Sequence, residues 1–263
     1  MLKRKMLLGI AFALAFGVLL LSNSTPRAFA QIQTDASAQT AHASPDALPL
    51  DHYWCYVTPD VAVNEAVSLQ DQFQANPISV TVTTTEFFCN PARKRHNDKT
   101  FNIIDSTAHL TWYKMAAPQG VAHRVRVRNQ FGKQRYDVAD TPLWLATPTQ
   151  VQGQAAPQNL DHFECYRIRN ASPLNQIVDL QDEFTQAVGL TVGKAVMLCN
   201  PARKVHGVQT FEIQNPDAHL VCYRVTRVQQ NRQVNLQNQF QQTTLTVKKP
   251  KLLCAPSYKK ILE

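Results

Sequence analysis

A histidine stands three residues before the first cysteine position of four stretches of this chain: His52 before Cys55, His162 before Cys165, His219 before Cys222, and His109 in the same place before Trp112. Asp51, Asp161 and Asp217 lie close by. Imidazole nitrogens and a carboxylate are ligands for zinc and similar metals, so His162, His219 and Asp161 form a candidate metal set if the fold gathers them. Recurrence in all four stretches favours a structural role instead, each His sitting at a strand start and donating to a neighbouring backbone carbonyl. His96 and His206, flanked by Arg and Lys, have no carboxylate beside them in sequence and read as part of a solvated basic loop rather than as acid-base groups. A nucleophile elbow, a zinc-protease helix, a phosphate loop and a dinucleotide turn are all missing, and only 8 Gly remain to build such loops. No catalytic residue and no cofactor follows from the sequence.

A second set of chemically active residues is basic. Arg124, Arg126 and Arg128 alternate with Val125 and Val127, and Lys133 and Arg135 follow beyond a turn at Gly132. In a strand the valines point inward and the guanidiniums form an outer row spaced about 6–7 Å apart. Such a row of forked donors suits the carboxylate, sulfate or phosphate groups of an anionic polymer. The competing explanation is an edge strand whose like charges deter strand-to-strand aggregation. At the matching positions further along the chain stand Gln233, Asn235 and Gln237, while Val234 and Leu236 keep the inward pattern, so the fold does not require the charge. Removing Lys3, Arg4, Lys5 and Arg27 with a leader lowers the formal net charge from +8 to +4, too mild to imply a nucleic-acid partner.

The elements that must position these groups begin with export. Lys3-Arg4-Lys5, an apolar run from Met6 to Leu21 and then Ala28-Phe29-Ala30 have the layout of a signal peptide over residues 1–30, cleaved before Gln31. No second hydrophobic stretch follows, so no transmembrane segment is expected once the leader is removed. The mature chain should be secreted or periplasmic, in an oxidising space where six cysteines form disulfides.

The mature chain is a tandem repeat, and each repeat is itself doubled. Leu50-Asp51-His52-Tyr53-Trp54-Cys55-Tyr56 returns 110 residues later as Leu160-Asp161-His162-Phe163-Glu164-Cys165-Tyr166, and Cys89-Asn90-Pro91-Ala92-Arg93-Lys94 returns as Cys199-Asn200-Pro201-Ala202-Arg203-Lys204. Within the second repeat, His162-Phe163-Glu164-Cys165-Tyr166-Arg167 recurs as His219-Leu220-Val221-Cys222-Tyr223-Arg224. The result is four units of roughly 55 residues, each with three strand-like segments; Arg124 to Arg128 and Thr244 to Val247 show period-2 alternation. Asp71, Asn129, Asp182 and Asn238, each two residues before a Phe, suit turns. The expected fold is all-β, with two tandem sandwich or barrel-like domains, each from two three-stranded units. The expected boundaries are a disordered N-terminal linker at 31–49, a first domain at 50–148, a linker at 149–159, a second domain at 160–258 and a tail at 259–263.

Four cysteines in the second repeat allow three pairings, and the first repeat selects among them. It keeps Cys55 and Cys89 but has Trp112 and Ala146 where Cys222 and Cys254 stand, and partners tend to be lost together. The expected bonds are therefore Cys55 with Cys89, Cys165 with Cys199, and Cys222 with Cys254. Trp112 and Ala146 should touch, the indole filling space beside the small methyl.

The pattern His-x-x-Cys-Tyr, Leu-x-Asp-x-Phe, Cys-Asn-Pro-x-x-Lys, His-Leu-x-Cys-Tyr, Asn-Gln-Phe and Leu-Cys-x-Pro-Ser resembles an uncharacterised family of exported bacterial repeat domains. That resemblance implies no particular activity. Two function classes fit the residues. One is a non-catalytic binding or structural module of the envelope or exterior, with an anionic surface polysaccharide or a protein as ligand. The other is a secreted hydrolase or metal-dependent enzyme whose site assembles from distant His and Asp residues. The leader, repeats and linkers account for the unusual features without catalysis, which favours the module.

Overall fold

The computed structural model describes residues 48–226 and 228–262. The leader expected over 1–30, and the linker as far as residue 47, lie outside the described residues. The described chain is all-β, and no helix occurs in it. Each unit opens with a short strand: β1 (His52–Val57), β5 (His109–Ala116), β8 (His162–Arg169) and β12 (His219–Val225). A middle strand follows: β2 (Ala62–Gln70), β6 (His123–Asn129), β9 (Pro173–Gln181) and β13 (Arg232–Gln237). The third strand is long: β3 (Ile78–His96), β7 (Gly132–Val151) and β10 (Gln186–His206), divided in the last unit into β14 (Gln242–Val247) and β15 (Pro250–Leu262). Two three-residue strands, β4 (Lys99–Phe101) and β11 (Gln209–Phe211), fold back on the ends of β3 and β10.

The first and third strands of all four units close one ring. Its antiparallel order is β1, β3, β5, β7, β8, β10, β12 and β15, with β15 returning to β1. At each junction between units the register advances by two residues: Cys89 faces Leu110 rather than Trp112, Ala146 faces Phe163, Cys199 faces Leu220, and Cys254 faces Tyr53. Such stagger is what tilts strands enough to close a barrel, and eight strands leave an interior just wide enough for side chains to fill. Here cystines fill it. The disulfides Cys55–Cys89, Cys165–Cys199 and Cys222–Cys254 each join directly opposed residues, and Trp112 faces Ala146 at the fourth equivalent place. All eight side chains are buried in one cluster, where Cys55 Sγ and Cys254 Sγ of adjacent bonds lie 3.8 Å apart.

A proline recurs in this ring at the same place in every unit, although proline cannot donate to a ladder. Pro91, Pro148, Pro201 and Pro256 each lie two residues beyond that girdle, opposite Tyr53, Leu110, Phe163 and Leu220. They share the pair type of the closely spaced cysteines, whose Cα atoms are 3.9–4.0 Å apart, so their nitrogens face the next unit. There the ladder has already ended, at Leu110 for Cys89 and at Leu220 for Cys199. No hydrogen bond is lost.

Each middle strand and the start of its third strand form a hairpin laid outside the ring, and bulges bend the long strands between the two layers. The hairpins clasp opposite units. The end of β2 pairs with β10 and the end of β9 with β3, while β6 pairs with β15 and β13 with β7. Val125, Val127, Val178, Leu180, Val234 and Leu236 face inward here against Trp54, Tyr56 and Phe88. The recurring Asp or Asn closes each hairpin: Asp71, Asn129, Asp182 and Asn238 accept the N–H of the Phe two residues on. Their remaining atoms reach across to the opposite unit. Asp71 and Asp182 accept from the amides of Asn200 and Asn90, whereas Asn129 and Asn238 donate to the hydroxyls of Ser257 and Thr149.

This architecture replaces the expected pair of separately folded domains. One repeat supplies only four ring strands, and the hairpins of each repeat cover the strands of the other, so the described residues form one compact unit. Residues 149–159 begin as the end of β7 and continue through a turn in which Gln152 donates to the Asn235 carbonyl. Residues 259–262, expected as a tail, are the end of β15.

Candidate functional site

The four first-strand histidines are buried around one end of the ring, and each has its own surroundings. His52 Nε2 meets the side-chain amide of Gln130, and His162 Nε2 accepts from Gln239 Nε2 at 2.7 Å. His109 contacts Asn90 Oδ1 at 3.0 Å and Gln154 Oε1 at 2.8 Å, with Glu183 Oε1 3.9 Å away. The hydrogen-bond partners are side-chain amides distant in sequence, not the neighbouring backbone carbonyls expected. Asp161 is committed elsewhere: it accepts the backbone N–H groups of Gln214 and Asn215 at 2.6 and 2.9 Å, as Asp51 does those of Ile104 and Asp105. The structure therefore commits Asp161 and His162 to separate partners, and His219 Nδ1 has no hydrogen-bond partner among the described residues. Among the described residues no three His, Cys, Asp or Glu gather as a metal site.

Three buried lysines stand near three of these histidines, His52, His162 and His219. Lys94, Lys204 and Lys259 occupy equivalent positions, five residues after Cys89, Cys199 and Cys254, where the second unit has Val151. Lys94 Nζ lies 4.3 Å from the Phe101 ring centre and 4.6 Å from that of Phe131. Lys204 Nζ lies 4.9 Å from Phe211 and 4.4 Å from Phe240, and Lys259 Nζ stands 4.0 Å over Phe73 while donating to Asn200 Oδ1 at 2.7 Å. Burial lowers Lys204 and Lys259 to about 7. Burial, then the charge of Lys204, lowers His162 to about 3, and burial followed by Lys94 and Lys259 does the same in direction to His52 and His219. The solvated basic loop expected around His96 and His206 is thus incorrect for its lysines, since Lys94 and Lys204 are fully buried. His206 also has a carboxylate at hand, Glu65 Oε2 at 3.3 Å, from a unit remote in sequence. The signal was Val151 itself, an apolar residue at the same place in the repeat.

Clefts surround the end of the ring where the first strands begin. The one beside His162 and Phe211 measures about 560 Å³ and that beside His109 and Glu183 about 370 Å³. A third cleft, equivalent in the repeat to the first, lies beside His52 and Phe101 and measures about 240 Å³.

The arginine row lies on a different surface. Val125 and Val127 are buried while Arg124 and Arg126 are exposed and Arg128 half-buried, its guanidinium 5.4 Å from the Tyr258 ring. The strand carrying them is not an edge: β6 pairs with β7 on one side and β15 on the other. Lys260 and Arg135 lie directly opposite Arg126, and Lys133 lies opposite Arg128. Arg124 pairs with Asp137 at 2.8 Å. The corresponding hairpin of the second repeat pairs Gln233 with Thr246 and Asn235 with Thr244, leaving its matching outer positions uncharged.

A disulfide-bonded, all-β tandem repeat is the class that the fold defines. The chain belongs to the family described as a repeat of unknown function (DUF7450), whose model matches residues 28–135 and 109–256. No curated protein and no solved structure matches it. No helix among the described residues is long and apolar enough to cross a membrane.

Proposed function

We propose that this protein is an exported, non-catalytic module that holds an anionic polymer on the face built by β15, β6 and β7. The observation that carries this reading is the row Lys260, Arg126 and Arg135, three cations side by side on adjacent strands. Like charges directly opposite one another destabilise a sheet, and a strand paired on both sides needs no charge to deter aggregation. The second repeat shows that the hairpin folds with amides and hydroxyls instead. Guanidiniums spaced at strand intervals match a linear chain of carboxylate, sulfate or phosphate groups. Three disulfides suit an oxidising compartment outside the cytosol.

The test is chromatography of the full chain on dextran sulfate and on polygalacturonate. Retention should fall as salt rises, because exposed charges are screened within about 8–10 Å at moderate ionic strength. Changing Arg124, Arg126 and Arg128 together to Gln should abolish retention without lowering the melting temperature. A control of equal charge, Arg95, Arg167 and Arg224 changed to Gln, should leave it nearly intact. Equal elution of the two triple variants would reduce the row to surface charge and refute the proposal.

A further inference from the structure

Beyond the basic face, we propose that the cleft beside His162 binds a neutral, hydroxyl-rich ligand, a residue or two of a saccharide. Its volume of about 560 Å³ lies within the range of small-ligand sites. Gln150, Gln214, Gln237, Gln239 and Asn159 line it, drawn from three units and the segment joining the repeats. Gln150 and Gln214 each spend one N–H on the carbonyls of Gln154 and Glu212, and keep a second N–H and an amide oxygen, the donor and acceptor that neighbouring sugar hydroxyls require. The carboxylate on its wall, Glu212, is bonded to Arg203 Nε at 3.0 Å, so the lining offers no free charge to select an ion. Phe211 contributes an aromatic ring against which the C–H face of a sugar can pack.

Gln239 carries one polar atom without a partner, enclosed behind the cleft lining. One end of its amide is taken by His162 Nε2, and the buried Oε1 has no hydrogen-bond partner among the described residues. Reversing the amide would only exchange which end is unpaired. Gln130 makes the same arrangement in the equivalent cleft, but there Leu48 packs in, Ile104 stands in the place of Gln214 and Tyr258 in that of Gln150, and about 240 Å³ remains. The equivalent cleft is therefore smaller and carries fewer amides.

The experiment titrates the full mature chain with linear neutral hexasaccharides of glucose, mannose, galactose and N-acetylglucosamine. Calorimetry and saturation-transfer NMR are run in about 1 M NaCl, where a Debye length of about 3 Å silences the basic face. At least one hexasaccharide should bind saturably, with Kd between about 1 μM and 1 mM. The double variant Gln214→Ile with Gln150→Tyr, which copies the residues at the equivalent repeat positions, should weaken binding at least tenfold with an unchanged melting temperature. The Arg124, Arg126 and Arg128 variant should bind as the wild type does. No saturable binding across the panel, or binding that the double variant leaves intact, overturns the proposal, while polyanion retention at low salt independently reports on the basic face.

Discussion

In the second repeat Cys222 faces Cys254 across two ring strands; in the first, Trp112 faces Ala146 at the same place, fully buried in the same cluster. On the outer hairpins the contrast runs the other way, with Arg124, Arg126 and Arg128 in the first repeat and Gln233, Asn235 and Gln237 in the second. Inward positions accept a change when volume is kept across an opposed pair. Outward positions change without any such partner. The interior therefore records what the ring needs, and differences on the surface are where the repeats are free to acquire separate tasks.

Removing the indole is the strongest way to break the comparison. Trp112→Ala should cost about 3–5 kcal/mol, as truncation of buried aromatic side chains does. An unchanged urea midpoint would show that the indole does not substitute for the cross-link. Deleting the equivalent bond with Cys222→Ala and Cys254→Ala should cost about 2–5 kcal/mol. Installing the first repeat's solution there instead, Cys222→Trp with Cys254→Ala, should recover about 1.5–3 kcal/mol of that through the buried ring. Calorimetry that placed the two double variants at the same melting temperature would refute the equivalence.

The outer contrast can be sharpened by transfer. Changing Gln233, Asn235 and Gln237 to Arg should raise the salt needed to elute the protein from dextran sulfate, by roughly 1 kcal/mol or about fivefold in affinity. The gain should fall short of the native face because Thr244 faces Asn235 where Arg135 faces Arg126, and Gln152 holds the repeat position of Lys260.

A pH-dependent effect concerns Lys204, buried in the second repeat. Lys204 is lowered to about 7 in the folded chain and returns to its ordinary value of 10.5 on unfolding. Between those values the unfolded chain binds more protons, so stability rises with pH, by at most about 1.4 kcal/mol per pH unit for this group. Lys204→Met should flatten the rise measured by denaturation between pH 7 and 9 without removing it, because Lys259 is lowered in the same sense. A slope left unchanged by the substitution would show that Lys204 keeps its proton in the folded state.

Much of this fold was legible in the chain. Alternation placed Val125, Val127, Val234 and Leu236 inward, and the joint absence of two cysteines singled out one pairing among three. What sequence could not show is which unit a hairpin covers. That choice rests on matched polarity across the molecule: Asp71 and Asp182 face the amides of Asn200 and Asn90, while Asn129 and Asn238 face hydroxyls. An isolated repeat motif carries no mark of its distant partner. The buried lysines escaped for a related reason, since Phe131 and Phe240, the rings over Lys94 and Lys204, arrive from the following units.

The closed ring also bears on ancestry. Each repeat brings four of eight ring strands and two hairpins that cover its counterpart, so a gene encoding a single repeat could complete the barrel only as a twofold homodimer. Fusion of two such genes would turn the subunit interface into the interior of a monomer. The segment between Val151 and His162 would be the join, and once the copies were no longer identical, one face could become cationic and one cleft could open without its twin having to follow.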